Sequence, residues 1–444
     1  MLQYLTRICA MQILLAALGL WPGQADCAVP VADIEWKKLD TKFVPLSSVR
    51  QILSPGVFDR SLQHVITFPA NGAAVDTGLP HGGMDKNGKP RPAILAKVAK
   101  DFAWIDFDND GKPGPDETRR INPDGWSDPF ACELFYDDGS SAKYAFRLKT
   151  VVEGEKYAIV RAAARTFEFN GKTVTLLDDD GNGKYSDSGH DALLVEGQPA
   201  CFLGKHVQIG DGLFEIIVHT SGETVEIRPA SKDVVTGVID PFEKYEPPQR
   251  SDNLKLHTLI FSGPEGSFAC DETHRTVKAP VGIYDMVFGL FERGGETIYL
   301  KKGEKTTFTV TASLKTQLKW GGKIKATFTL TSDGEEVTLG APHFIGQMTE
   351  EYIPESVKQT TCSARVSEVF KDRTHFDVEG YVVFGSKRFE LLPDGEFKPL
   401  LFKRFRNVND EYEGYVEYTS GIIGRVEGKE RLSFIYKKKN AKKN

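Results

Sequence analysis

The sequence predicts a mainly β protein of several domains, built of sandwiches or small barrels with few short helices. Three observations carry this. Tyr144, Phe146 and Leu148 alternate with Lys143, Arg147 and Lys149, the period of two expected of a half-buried strand. Turn dipeptides sit between paired apolar runs: FEFNGKTVTLL (Phe167 to Leu177) centres on Asn170-Gly171, whose residues tolerate the positive φ of a type I′ turn. The scheme recurs around Ser221-Gly222 in FEIIVHTSGETVEI and around Asp333-Gly334 in ATFTLTSDGEEVTL. Helical signals are confined to SSVRQIL near residue 50 and, more weakly, ILAKVAK at 94–100.

The chain has 444 residues, which at about 150 per domain implies two to four domains. Residues 1–25 read as a signal peptide: Arg7 precedes the apolar run Ile8 to Trp21, Pro22-Gly23 breaks it, and cleavage is expected after Ala25. That run is too short to span a bilayer comfortably, and no later one approaches about 18 apolar residues. The mature chain is therefore expected to lack a transmembrane segment and to be exported to the periplasm, cell surface or medium. Asp26 stands where a lipobox needs a small residue, which argues against lipidation of Cys27.

Residues 26–245 form a β-rich region holding two acidic loops. Two adjacent prolines within DPFEKYEPPQRSDN (Asp240 to Asn253) mark a linker. A small sandwich-like domain is expected at 253–312 and a further β-domain at 313–436, followed by a solvated basic tail at 437–444. The net charge of −6 gives no general pull toward nucleic acid. Of six cysteines, Cys9 leaves with the signal. Cys132, Cys201, Cys270 and Cys362 would form two disulfides in an oxidising compartment, or serve as small buried hydrophobes.

Ile105 to Glu117 reads IDFDNDGKPGPDE and matches the ligand spacing of an EF-hand loop, with ligands at positions 1, 3, 5, 7, 9 and 12 and Gly at 6. Asp106, Asp108 and Asp110 take 1, 3 and 5. Gly111 takes 6, the Lys112 carbonyl 7, and Glu117 chelates from 12. Gly114 at position 9 leaves that place to water. A hard cation wants six to eight oxygens, and a tight loop converges alternate side chains on one point. Without a cation each close pair of carboxylates would repel by about 1 to 4 kcal/mol. About 70 residues downstream, LLDDDGNGKYSDSGHD repeats the pattern: Asp178, Asp180 and Asn182 at 1, 3 and 5, Gly183 at 6, the Lys184 carbonyl at 7. Position 12 is Gly189, so closure falls to Asp187 or Asp191. The expected cofactor is Ca2+, two ions; Mg2+ fits less well because it demands a rigid octahedron.

Pro113 at position 8 has no amide to pair with a partner loop, and TRRINPDGW makes a poor exiting helix. FAWI before the loop reads as strand. The pattern thus resembles thrombospondin-type or dockerin-like calcium loops rather than a helical EF-hand. With YDDGSSAKYAF (Tyr136 to Phe146), the loops resemble a group of uncharacterised secreted bacterial proteins that carry EF-hand-type DxDxDG loops on a β-rich scaffold. That resemblance implies calcium binding and no activity. VKAPVGIYDMVF (Val277 to Phe288) resembles the strand-turn of carboxypeptidase-regulatory-like modules.

No HExxH helix, GxSxG elbow or phosphate-cradling loop occurs, and no catalytic residue is assigned. The chain reads as an exported, non-catalytic calcium-binding protein whose ions fasten long loops, with glycan or cell-envelope components as candidate partners. Two alternatives stay open: a carbohydrate-binding protein using Trp104, Trp126 or Trp320, and a hydrolase with an unrecognised site.

Overall fold

The computed structural model describes residues 35–48, 53–69, 73–82, 89, 91–99, 101–108, 110–152, 155–248, 253–312, 314–332, 336–355, 361–372, 378–391, 397–403 and 411–433. The expected signal peptide, Cys27, residues 49–52 of the SSVRQIL signal, the Asp333-Gly334 turn and the basic tail lie outside them. Strand accounts for 57% and helix for 2%, so pairing between strands satisfies most of the main-chain polar groups.

The Asn170-Gly171 hairpin forms as its residues dictate. Ala163–Phe169 pairs with Lys172–Leu177 down to Phe169 opposite Lys172, and the two turn residues take φ of 50° and 70°. Gly212–Val218 pairs with Thr224–Pro229 around Gly222 at φ 67°. Tyr144, Phe146 and Leu148 are buried along Ser141–Val152. ILAKVAK is a strand, Leu95–Ala99, where a helix was expected. Antiparallel pairing with Phe102–Asp106 places Ala96 fully inside and Lys97 outside, and this packing overrides a weak helical propensity. The described helices are Pro55–Phe58 and one 3-10 turn, Arg60–Leu62.

The largest sheet has twelve strands. One half runs from Lys37–Asp40 through Thr224–Pro229 and Gly212–Val218 to His206–Ile209. The other runs from Gly266–Cys270 through Lys255–Gly263, Gly282–Arg293, Glu296–Lys301, Glu351–Pro354 and His343–Ile345 to Lys325–Thr327, with Thr307–Val310 alongside Gly282–Arg293. The halves meet at one parallel pair, His206 opposite Gly266. Strands from 26–245, 253–312 and 313–436 thus share this sheet.

Two hydrophobic cores pack against this sheet, and the first draws on both halves, with Val207 and Val225 from one and Ile260 and Phe288 from the other. The first gathers residues such as Ile105, Phe130, Tyr144, Phe146 and Val225; the second gathers Phe261, Phe291, Trp320, Val366 and Tyr418. Cys132, Cys201, Cys270 and Cys362 are all free thiols, so the disulfide reading is not met. Three are buried and Cys132 is half-buried, on four different strands, and burial pushes the Cys132, Cys201 and Cys362 thiols up to about 12. They serve as small hydrophobes.

Candidate metal centre

Both acidic loops are hairpin connections. The first joins Phe102–Asp106 to Thr118–Arg120, with Trp104 opposite Thr118. The second joins Lys172–Leu177 to Ala192–Val195, with Leu177 opposite Ala192. Each therefore begins and ends on paired strands, and no helix flanks either one.

In the first loop, carboxylate oxygens of Asp106, Asp108, Asp110 and Glu117 lie within 4.8 Å of one another. Oxygens on opposite sides of a cation with 2.3 to 2.6 Å bonds stand about 5 Å apart, so the group fits one ion. Gly111 turns the chain at φ 74°, and its amide donates to Asp106 Oδ2 at 3.2 Å. The Lys112 amide donates to Asp110 Oδ1 at 2.7 Å. Glu117 closes the loop: Oε1 accepts from the Phe107 amide at 2.7 Å, and Oε2 from the Gly114 amide at 3.0 Å and from Trp104 Nε1 at 3.4 Å. Burial pushes the Glu117 carboxyl up, but these donors, with the Asp108 amide, outweigh it and hold the group below its usual range. Asp106 and Glu117 are buried, whereas Asp108 and Asp110 face solvent.

The second loop is drier. Oxygens of Asp178, Asp180 and Asp191 converge within the same 4.8 Å. Asp191 sits two residues beyond the EF-hand closing position, so this loop closes late. Asp187 lies outside the convergent group: its Oδ2 accepts from Asn182 Nδ2 at 2.6 Å, and its amide donates to Asp191 Oδ2 at 2.7 Å. Asn182 Oδ1 accepts from the Lys184 amide at 2.8 Å, and Gly183 turns the chain at φ 84°. His190 is exposed, with its amide donating to Asp187 O at 3.1 Å. Burial, reinforced by neighbouring carboxylates, holds Asp178, Asp180 and Asp191 above the usual carboxylate range. Three acids folded together inside protein resist ionisation, and a divalent cation is the species that reverses this.

Distant residues that carry no local signal complete the second loop. Tyr144 OH donates to Asp178 Oδ2 at 2.5 Å. Tyr136 OH donates to Gly183 O at 2.8 Å. Asp179, between the first two ligands, points the opposite way: Oδ2 accepts from the Gly56 amide at 2.6 Å, Oδ1 accepts from Ser54 Oγ, and Arg161 Nη1 lies 3.4 Å from Oδ1. Tyr144 stands 34 residues from Asp178 and Ser54 stands 125 from Asp179 in sequence, beyond the reach of any spacing argument.

Trp320, a candidate for stacking on sugars, is fully buried, donates to Pro241 O at 2.7 Å and stacks on Tyr245. Trp104 is half-buried on Glu117, and Trp126 carries Lys149 over its ring at 5.0 Å. Among the described residues no helix is long and apolar enough to cross a membrane. Compared with known proteins, the chain matches no family model and no curated sequence.

Proposed function

We propose that this chain is an exported calcium-binding protein, non-catalytic, in which two ions fasten long hairpin loops of a β scaffold. One observation carries the reading: each loop brings the carboxylates from its first and third positions together with a later acid, around a glycine in left-handed conformation. Asx turns explain single Asp-Gly pairs. They do not explain four acids within 4.8 Å on the first loop, nor three on the second of which two are buried. Calcium suits both loops because it accepts irregular sets of six to eight oxygens, whereas magnesium requires a rigid octahedron. Export rests on the apolar N-terminal run and its Pro22-Gly23 break.

A thermal melt of the chain with Ca2+, Mg2+ or chelator tests the reading. Ca2+ at about a hundredfold excess over Kd adds about 2.7 kcal/mol per site, with a smaller gain from Mg2+. A transition that ignores Ca2+, together with a gain in stability when Asp106, Asp108 and Asp110 become Asn, would show that the loops are repulsive turns without an ion.

A further inference from the structure

Alternate residues of a tight loop point to opposite sides, so a loop that gathers its odd positions on an ion offers its even positions to the rest of the protein. In the first loop position 2 is Phe107, which packs edge-on to Phe130 and Phe146. In the second loop position 2 is Asp179, and its partners belong to one stretch of chain and to Arg161. Ser54 Oγ and the Gly56 amide hold its two oxygens, and Arg161 Nη2 donates to Ser54 Oγ at 2.8 Å. The fit leaves no slack: a Cβ on Gly56 would stand 1.9 Å from Asp179 O. The next residue continues the attachment, because the His64 amide donates to Asp180 O at 2.6 Å. His64–Thr67 is the edge strand beside Lys156–Arg161. The side chains of Asp179, Arg161 and Ser54 are all buried, where an ion pair that loses one partner is strongly destabilised.

A separate feature points to an occupant of the second loop. Tyr185 is buried, its hydroxyl has no hydrogen-bond partner, and its ring packs edge-on to Tyr144, whose own hydroxyl holds Asp178. A buried hydroxyl left without a partner beside this loop is satisfied if a water bound to the ion reaches it.

We infer that ion occupancy of the second loop controls the docking of the segment Ser54–Thr67, with Asp179 as the coupling residue. This rests on the calcium reading above. With an ion, Asp178 and Asp180 are drawn to one side and Asp179 is set for Ser54, Gly56 and Arg161. Without one, repulsion among Asp178, Asp180 and Asp191 loosens the loop and the segment with it.

Hydrogen exchange on the full chain, in Ca2+ and in chelator, tests this. A background carrying Asp108→Asn and Asp110→Asn silences the first loop without touching a buried group. The amides of Gly56 and His64 to Thr67 should exchange at least about tenfold faster in chelator, while Lys255–Gly263 stays unchanged. Asp179→Asn, which keeps every ligand, should make exchange in the segment fast in both conditions. If that variant fails to fold, Ser54→Ala supplies the reciprocal measurement: coupling is symmetric, so it should weaken Ca2+ binding at the second loop by about fivefold or more. Ca2+ binding in this background with equal exchange of the segment in both conditions, or full affinity in Ser54→Ala, overturns the coupling alone. No Ca2+ binding by the unsubstituted chain overturns the calcium reading and the coupling with it.

Discussion

Phe107 and Asp179 occupy the same loop position and anchor their loops by different physics. An aromatic ring in the first core needs no partner charge, so the first loop stays open to water and its acids Asp108 and Asp110 are exposed. A carboxylate at the same position needs Arg161, and the second loop is buried along with it. Another acid, Asp240, ends the strand Thr236–Asp240. Burial pushes its carboxyl up, but Lys315 Nζ at 3.0 Å and the amides of Phe242 and Glu243 more than offset this and leave it below the usual range. A carboxyl with a lower pKa in the folded chain than in the unfolded chain adds stability above its unfolded value. That stability is lost as pH falls through the folded value. In urea melts from pH 6 down to pH 2, Lys315→Met should therefore lie below the parent at pH 6, and the gap should close toward pH 2. A gap that stays constant across this range would mean that Lys315 acts by packing alone.

At the scale of the element, a hairpin gives the ligands what a helix gives them in an EF-hand, a fixed entry and exit. Ile105 N donates to Glu117 O at 2.9 Å, so the first loop is closed by a ladder bond directly behind its ligands. In the second, the pair Leu177 and Ala192 closes the ladder behind the ligands, and a side chain adds to it, since Asp179 N donates to Asp191 Oδ1 at 3.2 Å. Asp191 is thus a ligand candidate and a structural bond at once, while the Asp187 carboxylate stands back from the ion group, held by Asn182, and its amide bonds Asp191. Calorimetric titration separates the two roles. Asp191→Asn should reduce the number of bound Ca2+ ions from two to one, whereas Asp187→Asn should leave two and weaken one by about 10- to 100-fold. The reverse ranking would show that the loop closes at Asp187.

For the molecule as a whole, the single parallel pair His206 to Gly266 joins the two halves of the large sheet. Gly204 packs on it so closely that a Cβ would stand 2.8 Å from Gly266 Cα and from Ser267 N. Those are backbone atoms, so the join itself must shift to admit a methyl group, at about 1 to 3 kcal/mol. A further tie reaches the second half from outside the sheet, since Lys301 Nζ lies 2.9 Å from Asp59 Oδ1, just after the helix Pro55–Phe58. Both acidic loops belong to the side of the first core. Calorimetric scans of Gly204→Ala should accordingly resolve two transitions, of which only the one belonging to the first core moves with Ca2+. A single transition, or Ca2+ shifts of equal size in both, would show that the cores are coupled elsewhere.

The fold class was legible because its signals are local. Period-two alternation and an Asn-Gly turn act within a dozen residues, and Asn170-Gly171 turned as those residues require. The first loop was legible for the same reason: Asp106, Asp108, Asp110 and Glu117 converge by spacing alone. ILAKVAK was misread because its strand character comes from the partner Phe102–Asp106. The cysteines left two readings because sequence does not say which strands face each other. In the second loop the sequence supplied Asp178 and Asp180 and left the closing acid open. The tertiary structure placed Asp191, and it brought Tyr144 and Ser54 to the loop from far along the chain. Local chemistry determined where like charges gather; only long-range packing decided how deeply one of the two loops is buried and what its outward side holds.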